Sequence, residues 1–398
     1  MNMGRLDFLF FAFCFLLYSV PGHADSRAAI IAEQKAEKAK HLHVYTPSKA
    51  EGIITRLTSP RHGFYPYFGS AFSGGGLALG PGYFRTFGDN GTFDIHGAWS
   101  IENYTMLQTN IKLPDLAHLA GGRLSTRVNA KYVNAGHLSY FGLGNDSQKD
   151  DESDFEYRPI NVGFTETYQP VKWFSVGGGV EYLHPHTGPG DSGSLPQVDD
   201  EFPPSEIPGF EVNPDYVNTS LFAVLDWRQT PGYTTSGGLF RALFTDYNQQ
   251  GNAAFSFLRY DAEVDQYFPL WRANQIIAVR ALVSITQAAG DEQVPFYLMP
   301  RLGGARDLRG FRGFRFRDRH RLLLTAEYRW TPSKMMDLAL FYERGKVASV
   351  TSDLDFTGLH YSIGIGARFH APNATILRIE FAHSNEYNRI IFDTGLLF

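Results

Sequence analysis

Cysteine is nearly missing. Cys14 is the one thiol in 398 residues, and it lies inside an apolar run behind Phe13, where a lipoprotein cleavage site would need small residues. A disulfide framework and a cysteine metal centre are both excluded. Beyond Val20 no apolar run approaches the roughly 18 residues that a membrane-crossing helix needs. Basic excess is absent too: 36 Lys and Arg face 41 Asp and Glu, for a net charge of -5, so nothing general argues for nucleic acid as a partner.

What is present is aromatic and glycine-rich: 33 Phe, 21 Tyr and 40 Gly, a composition that suits strands and turns. The first residues read as an export signal, with Arg5 in a short basic head, an apolar run over 8–20 and Gly22-His23-Ala24 before Asp25. Cleavage after Ala24 removes one base, Arg5, and one acid, Asp7, so the charge stays at -5. Residues 25–62 are expected to form a periplasmic leader whose segment 26–41, capped by Ser26 and rich in Ala, Glu and Lys, favours a short helix. That stretch is too short for an additional periplasmic domain.

From residue 63 onward apolar and polar residues alternate between Gly, Pro and polar breaks, the pattern of a transmembrane barrel. In the segment 361–369, Tyr361, Ile363, Ile365, Ala367 and Phe369 share one face, opposite Ser362, Gly364, Gly366 and Arg368. Leu322, Leu324, Ala326, Tyr328 and Trp330 oppose Thr325, Glu327 and Arg329, while Leu377, Ile379 and Phe381 oppose Arg378 and Glu380. Charges keep to one face, as a wet lumen requires.

Such segments occur near 63–73, 75–87, 91–101, 102–113, 121–142, 156–169, 172–184, 215–229, 236–248, 254–266, 273–286, 320–331, 336–346, 358–370, 374–384 and 388–398, sixteen in all. Parity supports the number. If the chain enters from the periplasm, the long connections 143–155, 185–214 and 287–319 all fall outside, and the short Gln169-Pro-Val171, Thr331-Pro-Ser333 and Ala371-Pro-Asn373 all fall inside. A soluble β-sandwich alternates as well, but the export signal and the large external-type loops favour a barrel in the bacterial outer membrane, spanning 63–398.

The sixth external loop carries a basic run of Arg301, Arg306, Arg309, Arg312, Arg315, Arg317, Arg319 and Arg321. As a channel lining these arginines favour anions; the other reading is neutralisation of lumen carboxylates. Arg309 presents a planar fork suited to bidentate carboxylate pairing, and Gly310 lets the backbone approach a wall that a Cβ would block. We expect this loop to fold inward and to be pinned to the wall, with Glu343 as first partner and Glu327, on the neighbouring strand and the same face, as second. The alternative is a set of unconnected lumen charges.

Two further motifs point to weaker chemistry. Gly190-Asp191-Ser192-Gly193-Ser194 mimics a serine nucleophile segment, but it lies in a Pro/Gly/acid-rich loop flanked by His184 and His186, with no convincing base. The acidic run Asp146, Asp150, Asp151, Glu152 and Asp154 does not follow an ordered calcium loop. Neither enzymatic activity nor a metal or other cofactor is expected.

Leu308-Arg309-Gly310-Phe311, preceded by Leu302-Gly303-Gly304, resembles the sixth-loop [V/L]-R-G-[F/Y] motif of the bacterial surface antigen family of outer-membrane barrels, which includes the BamA and TamA assembly proteins and two-partner secretion transporters. Phe341-Tyr342-Glu343-Arg344-Gly345 resembles that family's F-x-D-x-G on strand thirteen, with Glu for Asp. Tyr140-Phe-Gly-Leu-Gly-Asn-Asp146, Asp226-Trp-Arg228 with Pro231, and 362–369 are similar to other family segments. The terminal Ile391-Phe-Asp-Thr-Gly-Leu-Leu-Phe398 resembles an assembly signal ending in Leu396 and Phe398, with its glycine later than usual.

The resemblance implies a 16-stranded antiparallel barrel, all-β, with Phe341 and Gly345 joining Glu343 and Glu327 on the wall beneath the loop. It also implies a role in inserting or translocating proteins or lipids at the outer membrane. The partners are then membrane lipids, unfolded outer-membrane clients and the host barrel-assembly machinery. The periplasmic POTRA modules that receive client chains in this family fit nowhere in 25–62, so a short form is expected. A channel or permeability protein that keeps the fold without an assembly role is the alternative.

Overall fold

A computed structural model describes residues 62–114, 122–231, 233–251, 253–270, 274–333, 336–371 and 374–394. The export signal, the leader helix and the terminal Leu396 and Phe398 lie outside the described residues. Sixteen strands form the wall: β1 (Gly63–Gly69), β2 (Ala78–Phe87), β3 (Gly91–Ser100), β4 (Thr105–Lys112), β5 (Leu124–Tyr140), β6 (Ile160–Val171), β7 (Phe174–His184), β8 (Tyr216–Asp226), β9 (Gly237–Gln249), β10 (Phe257–Pro269), β11 (Gln275–Gln287), β12 (His320–Ser333), β13 (Met336–Ala348), β14 (His360–Ala371), β15 (Ala374–His383) and β16 (Asn388–Asp393). Each pairs antiparallel with its sequence neighbours, giving an all-β sheet nearly closed into a barrel. Among the described residues no pairing joins β1 to β16.

The two-residue side-chain period sets the faces. Leu340 is 51% exposed and Ile365 59%, whereas Phe341 next to the former is 1% exposed. Apolar side chains therefore cover the outside, and the inside carries Glu327, Arg368, Glu380 and their neighbours, all buried. A soluble sandwich would bury its apolar face instead.

The expected segments agree with these strands, with differences at the ends. Where 63–73 and 75–87 leave no room for a turn, the chain spends 70–77 on one: Gly74 and Gly76 have φ of 83° and 64°, a backbone that ends the ladder. β5 is longer than the wall needs. Its last residues pair with Ser153–Tyr157, which pairs in turn with Thr187–Pro189.

That extra ribbon belongs to a roof over the long-loop end of the barrel. Tyr140, Phe155, Phe202, Phe296 and Tyr297 pack there as one buried apolar cluster, with ring centroids 4.8–5.1 Å apart for Phe296 against Phe155 and Tyr140. Arg317 donates to the Phe296 carbonyl at 2.9 Å and lies about equally far, 5.4–5.5 Å, from the Tyr140, Phe155 and Phe296 rings. Cation–π attraction is strengthened by such desolvation.

Candidate functional site

The loop 288–319 turns back on itself before returning to the wall. Arg301–Leu302 and Phe316–Arg317 close its base as a two-residue ladder, and the 308–311 tip lies against the inward faces of β12–β16. Leu308 takes a φ of 48°, a left-handed conformation that costs a residue with a side chain about 1–3 kcal/mol. Burial offsets it: Leu308 joins Leu302, Phe311, Phe316, Leu282, Leu323 and Val347 in one apolar cluster.

Arg309 follows, fully buried. Its backbone N–H donates to Glu343 Oε2 at 2.7 Å and its Nε to Glu343 Oε1 at 3.0 Å. Nη1 reaches Glu380 Oε1 at 3.0 Å and Glu327 Oε2 at 3.5 Å. The guanidinium carbon stands 3.3 Å over the Phe341 ring. Phe341 lies flat because Gly364 on β14 leaves it space; a Cβ there would come within 2.3 Å of the ring.

Gly310 is held from both sides. Its N–H donates to Ser362 Oγ at 2.7 Å, and its carbonyl accepts from Ser384 Oγ at 2.9 Å. A Cβ at this position would meet the His383 backbone at 2.8 Å, so the close approach requires glycine. Arg389 on β16 donates to the Arg309 and Phe311 carbonyls. Gly345 backs the tip from β13, where a Cβ would lie 3.0 Å from Leu302.

The charges around Arg309 form a network. Arg368 clasps Glu327 in a fork at 2.6 and 2.5 Å and also reaches Glu380 at 3.1 Å. Arg329 donates to Glu327 at 2.5 Å, and Arg378 joins Glu380 at 3.2 Å to Asp393 at 2.5 Å. Arg309, Arg329, Arg368 and Arg378 thus face Glu327, Glu343, Glu380 and Asp393, and the more exposed Arg306 also reaches Asp393 at 3.3 Å. Each pairing matters because removing one partner of a buried ion pair costs about 3–5 kcal/mol.

The geometry reorders the partners expected from sequence. Glu343 and Arg309 are together, as are Phe341, Gly345 and Gly310 around them. Glu327 belongs mainly to Arg368 and Arg329, and Glu380 takes the closer place beside Arg309. Alternation puts Glu380, Arg329, Arg368 and Arg378 on the inward face, but their mutual pairing depends on strand register, which the sequence alone does not display.

The other singled-out segments are placed elsewhere. Ser192 of the 190–194 segment donates its N–H to Asp154 at 2.9 Å, and His184 and His186 pair with Asp215 at 2.6 Å and Glu156 at 3.3 Å. Neither histidine contacts Ser192 among the described residues. In the acidic run, Glu152 accepts from Ser139 at 2.9 Å and pairs with Arg312.

Residues 221–398 match the family model of the Omp85 superfamily domain. No curated protein matches the sequence. Among solved structures, BamA from Haemophilus ducreyi lacking POTRA domains 1–3 superposes with a TM-score of 0.60 at 14% identity, over 84% of this chain and 70% of that one. CdiB from Escherichia coli superposes with a TM-score of 0.51 at 12% identity, over 84% of this chain and 61% of that one. At such identities the likeness is one of fold. The chain spans about three fifths of CdiB's length.

Proposed function

We propose that this chain, which carries an Omp85 superfamily domain over residues 221–398, works in the bacterial outer membrane as a barrel that assists insertion or translocation of proteins or lipids. The observation that carries this reading is the seam. Within the described residues β1 and β16 run seven and six residues and are not paired to each other. Pro66 lies opposite Pro81 in the β1–β2 ladder. Two residues without an N–H sit at a position where neither donates to the other, so the β1 edge lacks one donor for closure.

The Arg309 network supports the same reading from inside. It ties the loop tip to β13 through Glu343, to β15 through Glu380 and to β16 through Arg389, stiffening the wall on one side of the seam while the seam itself stays weak. Lipids bathe the outer face, and unfolded client chains are the partners that an openable edge suits. Leu396 and Phe398 are then the segment by which the host machinery assembles this barrel. A steady pore requires an open mouth, and the aromatic roof at the long-loop end argues against one.

Depletion of the protein followed by an inventory of outer-membrane proteins and lipids tests this. Loss of a defined subset of either is the expected outcome. An unchanged membrane together with steady conductance of the purified protein in bilayers overturns it in favour of a channel.

A further inference from the structure

The arginines of the sixth external loop divide by partner, and one is left over. Arg306 reaches Asp393 at 3.3 Å, Arg309 reaches Glu343, Arg312 reaches Glu152, Arg315 grips Glu386 at 2.7 and 2.9 Å, and Arg321 lies 3.6 Å from Asp307. Arg319 is exposed, and Arg317 is spent on the roof. Arg301 has no carboxylate or carbonyl acceptor for its guanidinium among the described residues, which stands only over the Phe314 and Phe72 rings at 4.4 and 5.8 Å.

Its surroundings add positive charge. Arg301 is directly opposite Arg317 in the loop-base ladder, an arrangement of like charges that is destabilising. Arg321 donates to the Arg301 carbonyl at 3.1 Å, and Arg259 reaches the Leu298 carbonyl at 3.5 Å. Guanidinium groups from Arg259 and Arg321 therefore meet the segment 298–301, with Arg317 across the ladder from Arg301, and among the described residues only Asp261 and Asp307 pair with them. Asp307 is shared with Arg280 at 3.7 Å. Burial, with Arg317 and Arg321 nearby, pulls the Arg301 guanidinium down to about 9. Aromatic faces attract a cation but do not neutralise it, and an uncompensated charge in a sheltered site is costly.

We infer that Arg301, flanked by Arg259 and Arg321, forms a lumenal binding site for a tetrahedral oxyanion of the phosphate class, either a free ion or the phosphate of a larger ligand. A guanidinium fork matches two oxygens of such a group. Arg259 and Arg321 keep 19% and 15% of their side chains accessible, so the cluster presents surface to a ligand. This site does not depend on the insertion reading.

The test is thermal unfolding of the full-length protein in detergent, with inorganic phosphate or dihexanoyl phosphatidic acid added against chloride at equal ionic strength. Phosphate is expected to raise the unfolding temperature by several degrees over chloride. A greater rise with the lipid assigns the site to a phosphorylated ligand, and an equal or smaller one to the free ion. Arg301→Gln should abolish the rise without lowering unfolding temperature in phosphate-free buffer, whereas Arg319→Gln should leave it intact. Equal effects of chloride and phosphate, or a retained response in Arg301→Gln, overturn the site. Broadening of the phosphate phosphorus resonance by the unmodified protein, relieved by excess sulfate, reads the same binding without any variant, and its absence also overturns the site.

Discussion

At the scale of single residues, Arg309 decides most. It serves Glu343 twice, at 2.7 and 3.0 Å, Glu380 at 3.0 Å and Glu327 at 3.5 Å, so a double-mutant cycle should give coupling in that order, with Glu343 and Glu380 well above Glu327. Arg309→Ala and Glu343→Gln should each cost about 3–5 kcal/mol in urea unfolding from lipid vesicles. A reciprocal swap of Arg309 and Glu343 should not rescue, because the carboxylate then placed at 309 would face Glu327 and Glu380. Losses below about 0.5 kcal/mol, the range of surface substitutions, or equal coupling to Glu327, would contradict this arrangement. The sequence displays Arg309, Gly310 and Glu343 because guanidinium, glycine and carboxylate are each chemically specific. It hides Glu380 and Arg368, which differ from any other inward-facing charge only through register.

At the scale of elements, the sixteen strands were legible because lipid outside and water inside impose a strict two-residue period, and parity sorted long connections from short ones. The turn 70–77 was not, since Ala71 and Phe72 continue the alternation while Gly74 and Gly76 break it. The roof was hidden for another reason: Tyr140, Phe155, Phe202 and Phe296 come from three different connections and β5, with no local period to announce their meeting. Its separateness is testable. Phe296 is fully buried among Tyr140, Phe155 and Tyr297, so Phe296→Ala should cost about 3–5 kcal/mol of local packing. The wall has its own ladder and should not share the loss. We expect faster proteolysis within 141–159, 185–215 and 288–319, with the folded barrel still migrating as a heat-modifiable band. A barrel that loses its fold outright would show that roof and wall are one cooperative unit.

At the scale of the whole molecule, the division of labour lies between a braced side and a weak edge. β12–β16 are bound to one another by antiparallel ladders, the last of them six residues long, and, on their inward faces, by the buried charge network, so separating them breaks both at once. At β1 the ladder to β2 covers seven residues and the opposite edge has Pro66 in place of a donor. The lowest-cost opening of such a cylinder is where backbone hydrogen bonds are fewest, because each one left unmade in an apolar setting costs more than its net worth when formed. Cysteine scarcity makes this measurable, since Cys14 is the only native thiol. Pairs introduced at Phe64 or Phe68 with Ile390 or Phe392, all outward-facing and exposed, should include at least one that oxidises across the seam. Locking that pair should reproduce whatever membrane phenotype depletion produces, and reduction should relieve it. Full function with the seam quantitatively crosslinked would move the working part of the molecule from its edge to its lumen.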